Sequence, residues 1–383
     1  MEQLKPDDRL GGRFRRQKSV GGLLAAVVFL SGIGFVVYKT FFSNSTPAKQ
    51  TTPLFTEETN SAIIRFGLSE VKFRLSVKAT SILSDLAREP CDQVAIKTLG
   101  DALRAQNFRR EAANAYVNFS KSCPNSVFAL RSAANIFSNE ISDYAAAIPI
   151  ADEIIKSEPH LGNGYYIRGL AYFRANRLPE AIDDFTSSIE LYSDKSKMNS
   201  NAFFKLSESY ERINDFCSAM LPIYDWIRTK PDKNDTTQTK RMLTSLNEKG
   251  KCDPDRLGED IIRRQGSVVK VQVNINGVRG TFILDTGASF LTIKSSFAEK
   301  SHVKIIEGSS VVSNTANGTV TAKRGLAENV SLVKISSRNV PILIQEDKKG
   351  LYGDDIDGLL GNSFLSRFDM KFDATSVSIA TRK

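Results

Sequence analysis

The chain has 383 residues, 41% hydrophobic and 25% charged, a globular composition long enough for two domains or three. Its net charge of +9 is scattered, with one dense run at Arg13, Arg15, Arg16 and Lys18, so the clustered basic patch of a nucleic-acid surface is missing and no nucleic-acid partner is expected. His160 and His302, the two histidines, lie in different segments, and the four cysteines form no C-x-x-C pair, which argues against a Ser/His or Cys/His nucleophile and a zinc site. No metal and no cofactor is expected.

From the N-terminus, a basic tail over residues 1–18 leads into Ser19–Tyr38, which carries no charge and is bracketed by Lys18 and Lys39. At 1.5 Å rise per residue, such a stretch matches the thickness of a bilayer core, and 19–39 is predicted to be a transmembrane helix. Lys5, Arg9, Arg13, Arg15, Arg16 and Lys18 precede it and few basic residues follow, so the tail is expected in the cytoplasm and everything after Phe42 across the membrane. A cleaved signal peptide is the competing reading, although no A-x-A site follows. Residues 40–60, rich in Ser, Thr, Asn and Pro, read as a linker.

Residues 61–250 have helical periodicity and an internal repeat. Gly100, Ala112, Tyr116 and Pro124 recur as Gly169, Ala181 and Phe185, with Tyr172 between, and as Leu206, Tyr210, Ala219 and Pro231. A poorer copy holds Ala147 and Pro159, with Asn135 where the others have Gly or Ser, and is expected to be irregular. The period is about 34 to 35 residues, and over 91–250 the chain resembles the tetratricopeptide family of helix pairs. Small residues would let the two helices of a hairpin approach closely, and aromatics would fill the space between neighbouring pairs. The apolar stripe is core by its spacing; an array of this kind would add a concave surface for a protein partner. Antiparallel helix ends would bring Cys91 to Cys123 and Cys217 to Cys252, within reach of two disulfides in an oxidising compartment; four buried free thiols are the alternative.

After a second linker, 251–266, alternation replaces the helical period from residue 267 to 383. Val269, Val271 and Val273 alternate with polar residues, Asn276-Gly277 signals a hairpin, and Thr281–Leu284 returns into Asp285-Thr286-Gly287-Ala288-Ser289. Phe290–Ile293 continues as strand. A second hairpin signal lies at Asn317-Gly318; Val330–Ile335 and Val340–Gln345 are β-rich; Asp357-Gly358-Leu359-Leu360-Gly361 precedes a short helix from about Ser363 and a last hairpin at Asp373-Ala374.

In that order, the first hairpin, Phe282 to Ser289, Thr315 to Gly318 and Leu359 to Leu365 resemble the retropepsin-like aspartic proteases, closest to their single-domain bacterial type. The expected fold class is therefore multidomain, α plus all-β: a transmembrane helix, an α-solenoid of tetratricopeptide-like pairs and a retropepsin-like β-barrel. The resemblance implies Asp285 as the catalytic carboxylate and Thr286 bonding across to a partner's loop. Gly287 and Ala288 would turn the backbone and aim N–H groups at the carboxylate, Asn317 and Gly318 would form a flap, and Gly361 would pack beneath the loop. Ser289 stands where viral members carry a second Asp, a departure from the viral pattern. Two carboxylates about 3 Å apart cannot both ionise and share one proton, so one serves as base and the other as acid. The chain holds a single D-T-G and no D-S-G, so a second copy must supply the other half.

The expectation is thus a homodimeric aspartic endopeptidase of the bacterial inner membrane, single-pass, with periplasmic repeats and protease. The rivals are a non-catalytic envelope scaffold with a degenerate protease domain and a protease acting on its own chain near 251–266.

Overall fold

A computed structural model describes residues 55–252, 258–264, 268–315, 318–348, 352–353 and 355–381. The expected span at 19–39 lies outside the described residues; among those described, no helix is long and apolar enough to cross a membrane.

Helices come first. α1 (Glu57–Arg65), α2 (Val77–Arg88), α3 (Gln93–Ala105), α4 (Arg109–Ser122), α5 (Val127–Asn135) and α6 (Tyr144–Ser157) are followed by α7 (Gly162–Arg174), α8 (Leu178–Glu190), α9 (Asn201–Arg212), α10 (Phe216–Thr229), α11 (Pro231–Asn234) and α12 (Thr237–Gly250). Many starts are capped: Thr56, Ser76, Asp92, Asp143, Asp215 and Thr236 each accept a backbone N–H of the first turn. Inside the hairpins, Asn107, Asn176 and Asn214 follow α3, α7 and α9 with φ of 65°, 59° and 61°, the left-handed step that ends a helix and that asparagine tolerates.

The irregular copy behaves as expected. α5 runs into a π-helical turn, Ile136–Ile141, before Ser142 makes the same left-handed step. The small-residue rule holds, and Phe119 of α4 meets Phe128 of α5 between neighbouring pairs as expected, but Tyr116 and Phe185 sit elsewhere. A Cβ at Gly100 would lie 2.4 Å from Tyr116 Oη and one at Gly169 3.0 Å from the Phe185 ring, so these rings pack between the two helices of one hairpin. Glycine there makes room for the ring. Cys91–Cys123 and Cys217–Cys252 are disulfides, each with Cα atoms 5.4 Å apart.

Both expected linkers need correction. Helix α1 begins inside 40–60, because Thr56 caps it and Ala62 and Ile63 are buried. Residues 251–266 contain β1 (Glu259–Arg263), which pairs antiparallel with the last strand of the chain; Asp260 is buried and accepts the Lys334 and Ile335 N–H groups.

The remaining elements are β2 (Lys270–Ile275), β3 (Val278–Leu284), β4 (Leu291–Lys294), α13 (Ser295–Lys300), β5 (Lys304–Ile305), β6 (Val311–Thr315), β7 (Gly318–Ser331), β8 (Ser336–Gln345), β9 (Gly358–Leu360), α14 (Asn362–Leu365), β10 (Phe368–Phe372) and β11 (Ser376–Thr381). Among the described residues, the larger sheet runs β2-β3-β9-β4-β8-β7-β5, and β2 also pairs β7, which closes it into a barrel. β1, β11 and β10 form a second sheet. The barrel core is Val273, Ile275, Phe282, Leu291, Ile293, Ile342 and Leu360 among others, inward members of the strands, with Phe364 of α14 packed against them.

Candidate active site

β3 delivers Asp285 to its site. Three register pairs tie β3 in parallel to β9, Leu284 opposite Leu360, and the Asp285 N–H continues the ladder to Leu360 O at 3.1 Å. The chain then turns out of the sheet and re-enters it as β4, antiparallel to the other side of β9. The active-site loop therefore arches over the end of β9, where the backbone of Gly361 passes beneath it. A Cβ on Gly361 would lie 2.1 Å from Phe290 O and 2.9 Å from Ala288 O, so no other residue fits there without displacing backbone.

Within the loop, Gly287 N–H donates to Asp285 Oδ1 at 2.8 Å. Ala288 N–H donates to the main-chain oxygen of Asp285 rather than to its carboxylate, so one of the two expected donors reaches the acid. Asn362 is the anchor that motif reading left out. Its Nδ2 donates to Thr286 O at 2.7 Å and Ala288 O at 2.8 Å, and its N–H also reaches Ala288 O. Next to it, Ser363 Oγ accepts the Leu291 N–H at 2.8 Å. Both residues lie in the Leu359–Leu365 stretch, where their polarity between buried apolar neighbours was the available signal.

Exposure divides the loop. Asp285 is half-buried, Thr286 and Gly287 are exposed, and Ser289 and Phe290 are 7% exposed. The buried end is covered by the helical repeats. Ser289 Oγ donates to Glu190 Oε1 at 2.7 Å and accepts from Lys195 Nζ at 3.0 Å, while Phe290 joins Leu221, Val311, Ala322 and Leu343 in a small apolar cluster between the two domains.

The flap expected at Asn317 and Gly318 is the hairpin of β6 and β7. Asn317 lies outside the described residues. Gly318 has φ +105°, a conformation glycine adopts freely, and its O accepts from Thr315 Oγ1 at 2.8 Å. This hairpin also touches the repeats. Arg324 of β7, 5% exposed, pairs with Asp183 of α8 and donates to Pro179 O at 3.1 Å. Burial pushes the Asp183 carboxyl up, against the pull of Arg324, and pushes the neighbouring Tyr210 hydroxyl up to about 12. Glu190 goes the other way: burial alone would raise it, but the Lys195 ammonium and hydrogen bonds from Lys195, Ser289 and Ser313 hold it below the ordinary carboxylate range.

A closed barrel whose single D-T-G loop arches over a glycine backbone, behind paired helices, defines a retropepsin-like aspartic protease domain preceded by tetratricopeptide-like repeats. Residues 271–364 match the aspartyl protease family, so the family assignment attaches to this domain. A solved retropepsin-like aspartic protease from Rickettsia conorii is 22% identical, over 34% of this chain and 94% of that one, with a TM-score of 0.26. MamA (41-end) from Desulfovibrio magneticus RS-1 is 17% identical over 47% of this chain and 98% of its own, with a TM-score of 0.34. DnaJ homolog subfamily C member 3 of Gallus gallus is 24% identical over 137 residues; the chain spans 26% of the length of that curated relative.

Proposed function

We propose that the chain is a membrane-anchored aspartic endopeptidase, active as a homodimer in which two Asp285 carboxylates share one site. The observation that carries this reading is the single Asp285 at the end of β3, held by the Gly287 N–H beside an exposed Thr286 and Gly287. A half-site left open at its acid is what a second copy would complete. The ionised carboxylate takes a proton from water as its oxygen attacks the peptide carbonyl, and the protonated partner gives its proton to the carbonyl oxygen. Collapse of the resulting diol returns a proton to the leaving nitrogen and breaks the C–N bond. Thr286 and Gly287 supply contacts between the loops, and the β6–β7 hairpin closes over the peptide. Residues 19–39 anchor the chain in a bacterial inner membrane with the tail of 1–18 in the cytoplasm, the disulfides facing the periplasm, and the repeats offering a concave face to a protein partner. Anchoring would raise the effective concentration of chains and favour pairing.

The test is peptide cleavage by the purified chain against protein concentration, with sedimentation alongside. Specific activity should fall on dilution below the dimer constant, and the pH–rate profile should be a bell whose limbs belong to the pair. Full activity in a species shown to be monomeric removes the dimer; no cleavage under any condition favours the scaffold.

A further inference from the structure

β6 pairs β7 along one edge, from Val311 opposite Ala322 to Thr315 opposite Gly318. Along a strand, backbone N–H groups alternate between the two edges, so residues 310, 312 and 314 offer theirs to whatever lies on the unpaired side. What lies there is α8 and the turn after it. The Ser310 N–H donates to Asp183 Oδ2 at 3.0 Å and the Val312 N–H to Ser187 Oγ at 2.9 Å, while Asn314 Nδ2 donates to Leu191 O at 3.2 Å.

At the end of α8, Glu190 spans the gap between the two elements that flank the acid. One carboxylate oxygen accepts from Ser289 of the active-site loop and the other from Ser313 of β6, at 2.7 Å and 3.3 Å. Lys195 closes the group, 2.8 Å from Glu190 and 3.0 Å from Ser289. On the endopeptidase reading, an extended peptide lying along the Asp285 loop beneath the β6–β7 hairpin would run between Ser289 and β6, where Glu190 now bridges them. The groups it would use are those that an added strand uses, the free-edge N–H groups of β6. α8 already holds two of them, those of Ser310 and Val312.

We propose that α8 with Glu190 is a built-in plug, by which the repeat domain keeps the protease domain latent until an extended substrate or a movement of the repeats displaces it. This rests on the endopeptidase reading above. The bonds from α8 to the edge of β6 suit exchange: an incoming peptide's carbonyls would replace Asp183 and Ser187 as acceptors without leaving the Ser310 and Val312 N–H groups unpaired.

The experiment compares the full chain with a Ser187→Ala/Glu190→Gln variant and, independently, an Asp183→Asn variant. Three quantities are read: cleavage of an extended peptide library, binding of a statine-containing peptide whose hydroxyl stands in for the attacking water, and hydrogen exchange of the Ser310 and Val312 amides. Both variants should exchange those amides faster, bind the statine peptide about tenfold more tightly and cleave about tenfold faster, because a larger share of molecules is open to ligand. Adding Asp285→Asn should remove the cleavage, and the plug variants should still bind the statine peptide more tightly than Asp285→Asn alone. Ser187→Ala alone serves if the double variant does not fold, with a smaller change of the same sign. Tighter binding without cleavage by any form would defeat the endopeptidase reading and leave the plug standing. Equal statine binding by all forms, including none, or weaker binding by the variants, would overturn the plug and make α8 a spectator or a fixed wall of the site.

Discussion

The two ends of one five-residue loop have opposite surroundings. Thr286 and Gly287 face solvent, while Ser289, two residues on, is sealed beneath Glu190 and Lys195. The open end faces solvent, where the proposed homodimer would place a second chain; the sealed end is covered by the same chain. A loop built on Gly361 and Asn362 thus leaves one end open to solvent while an element of the same chain holds its other flank, and the site's assembly and its access become separate problems.

The largest effect should come from the acid itself. Asp285→Asn is expected to lower turnover by at least about 10³-fold, and a mixed dimer with one wild-type chain should be inactive too, because an amide cannot share the proton. Kinetics on tagged mixed dimers would check this, and half-activity in them would mean that the open end needs no second acid.

Gly361→Ala tests the support beneath both ends. The added methyl would sit against Phe290 O and Ala288 O, so the loop must lift and stability should fall by about 3 kcal/mol. Denaturant unfolding measures it; a loss under about 1 kcal/mol would show that the arch tolerates movement.

Asn362→Ala separates the ends more finely, since one amide holds Thr286 O at the open side and Ala288 O toward the sealed side. Losing both bonds should cost about 1–2 kcal/mol. Faster hydrogen exchange is expected at Gly287 and not at Leu291, whose N–H is held by Ser363. Uniform loosening across the loop would erase the distinction.

The smallest effect is a pH dependence confined to the sealed end. Glu190 is held below the ordinary carboxylate range in the folded chain, so its contribution is complete above the unfolded value and is lost as pH falls through the folded one. The Tm difference between wild type and Glu190→Gln should therefore be flat from neutral pH to about pH 5 and shrink below about pH 4. A difference that shrinks already between pH 7 and 5 would contradict the Lys195 pairing.

Much of the fold and of the candidate site is legible in the sequence. The D-T-G loop, the hairpin at Asn276-Gly277 and the short helix after Gly361 are local signals, each set by a few adjacent residues. The repeats were legible because Gly100 and Gly169 sit at a fixed offset from Ala112 and Ala181 on helices of regular pitch. The Cys91–Cys123 and Cys217–Cys252 pairs followed from helix length, since antiparallel neighbours of similar length bring their ends together. Less was legible where a residue's role depends on a distant partner. β1 read as linker because its one buried residue is the charged Asp260 while Ile261 is exposed, and its strand identity comes from β11 at the other end of the domain.

By itself, then, the sequence determined the order of the domains, the acid and the loop that carries it, since short-range stereochemistry and periodicity set those. Only the tertiary structure decided that Glu190 of a helix lies on Ser289 of a loop, that Asp183 meets Arg324, and that α8 covers the free edge of β6. These contacts join residues about a hundred or more positions apart. A buried carboxylate and a buried arginine look, in sequence, like any solvated pair; their meeting depends on how two folded bodies fit, which no local pattern encodes.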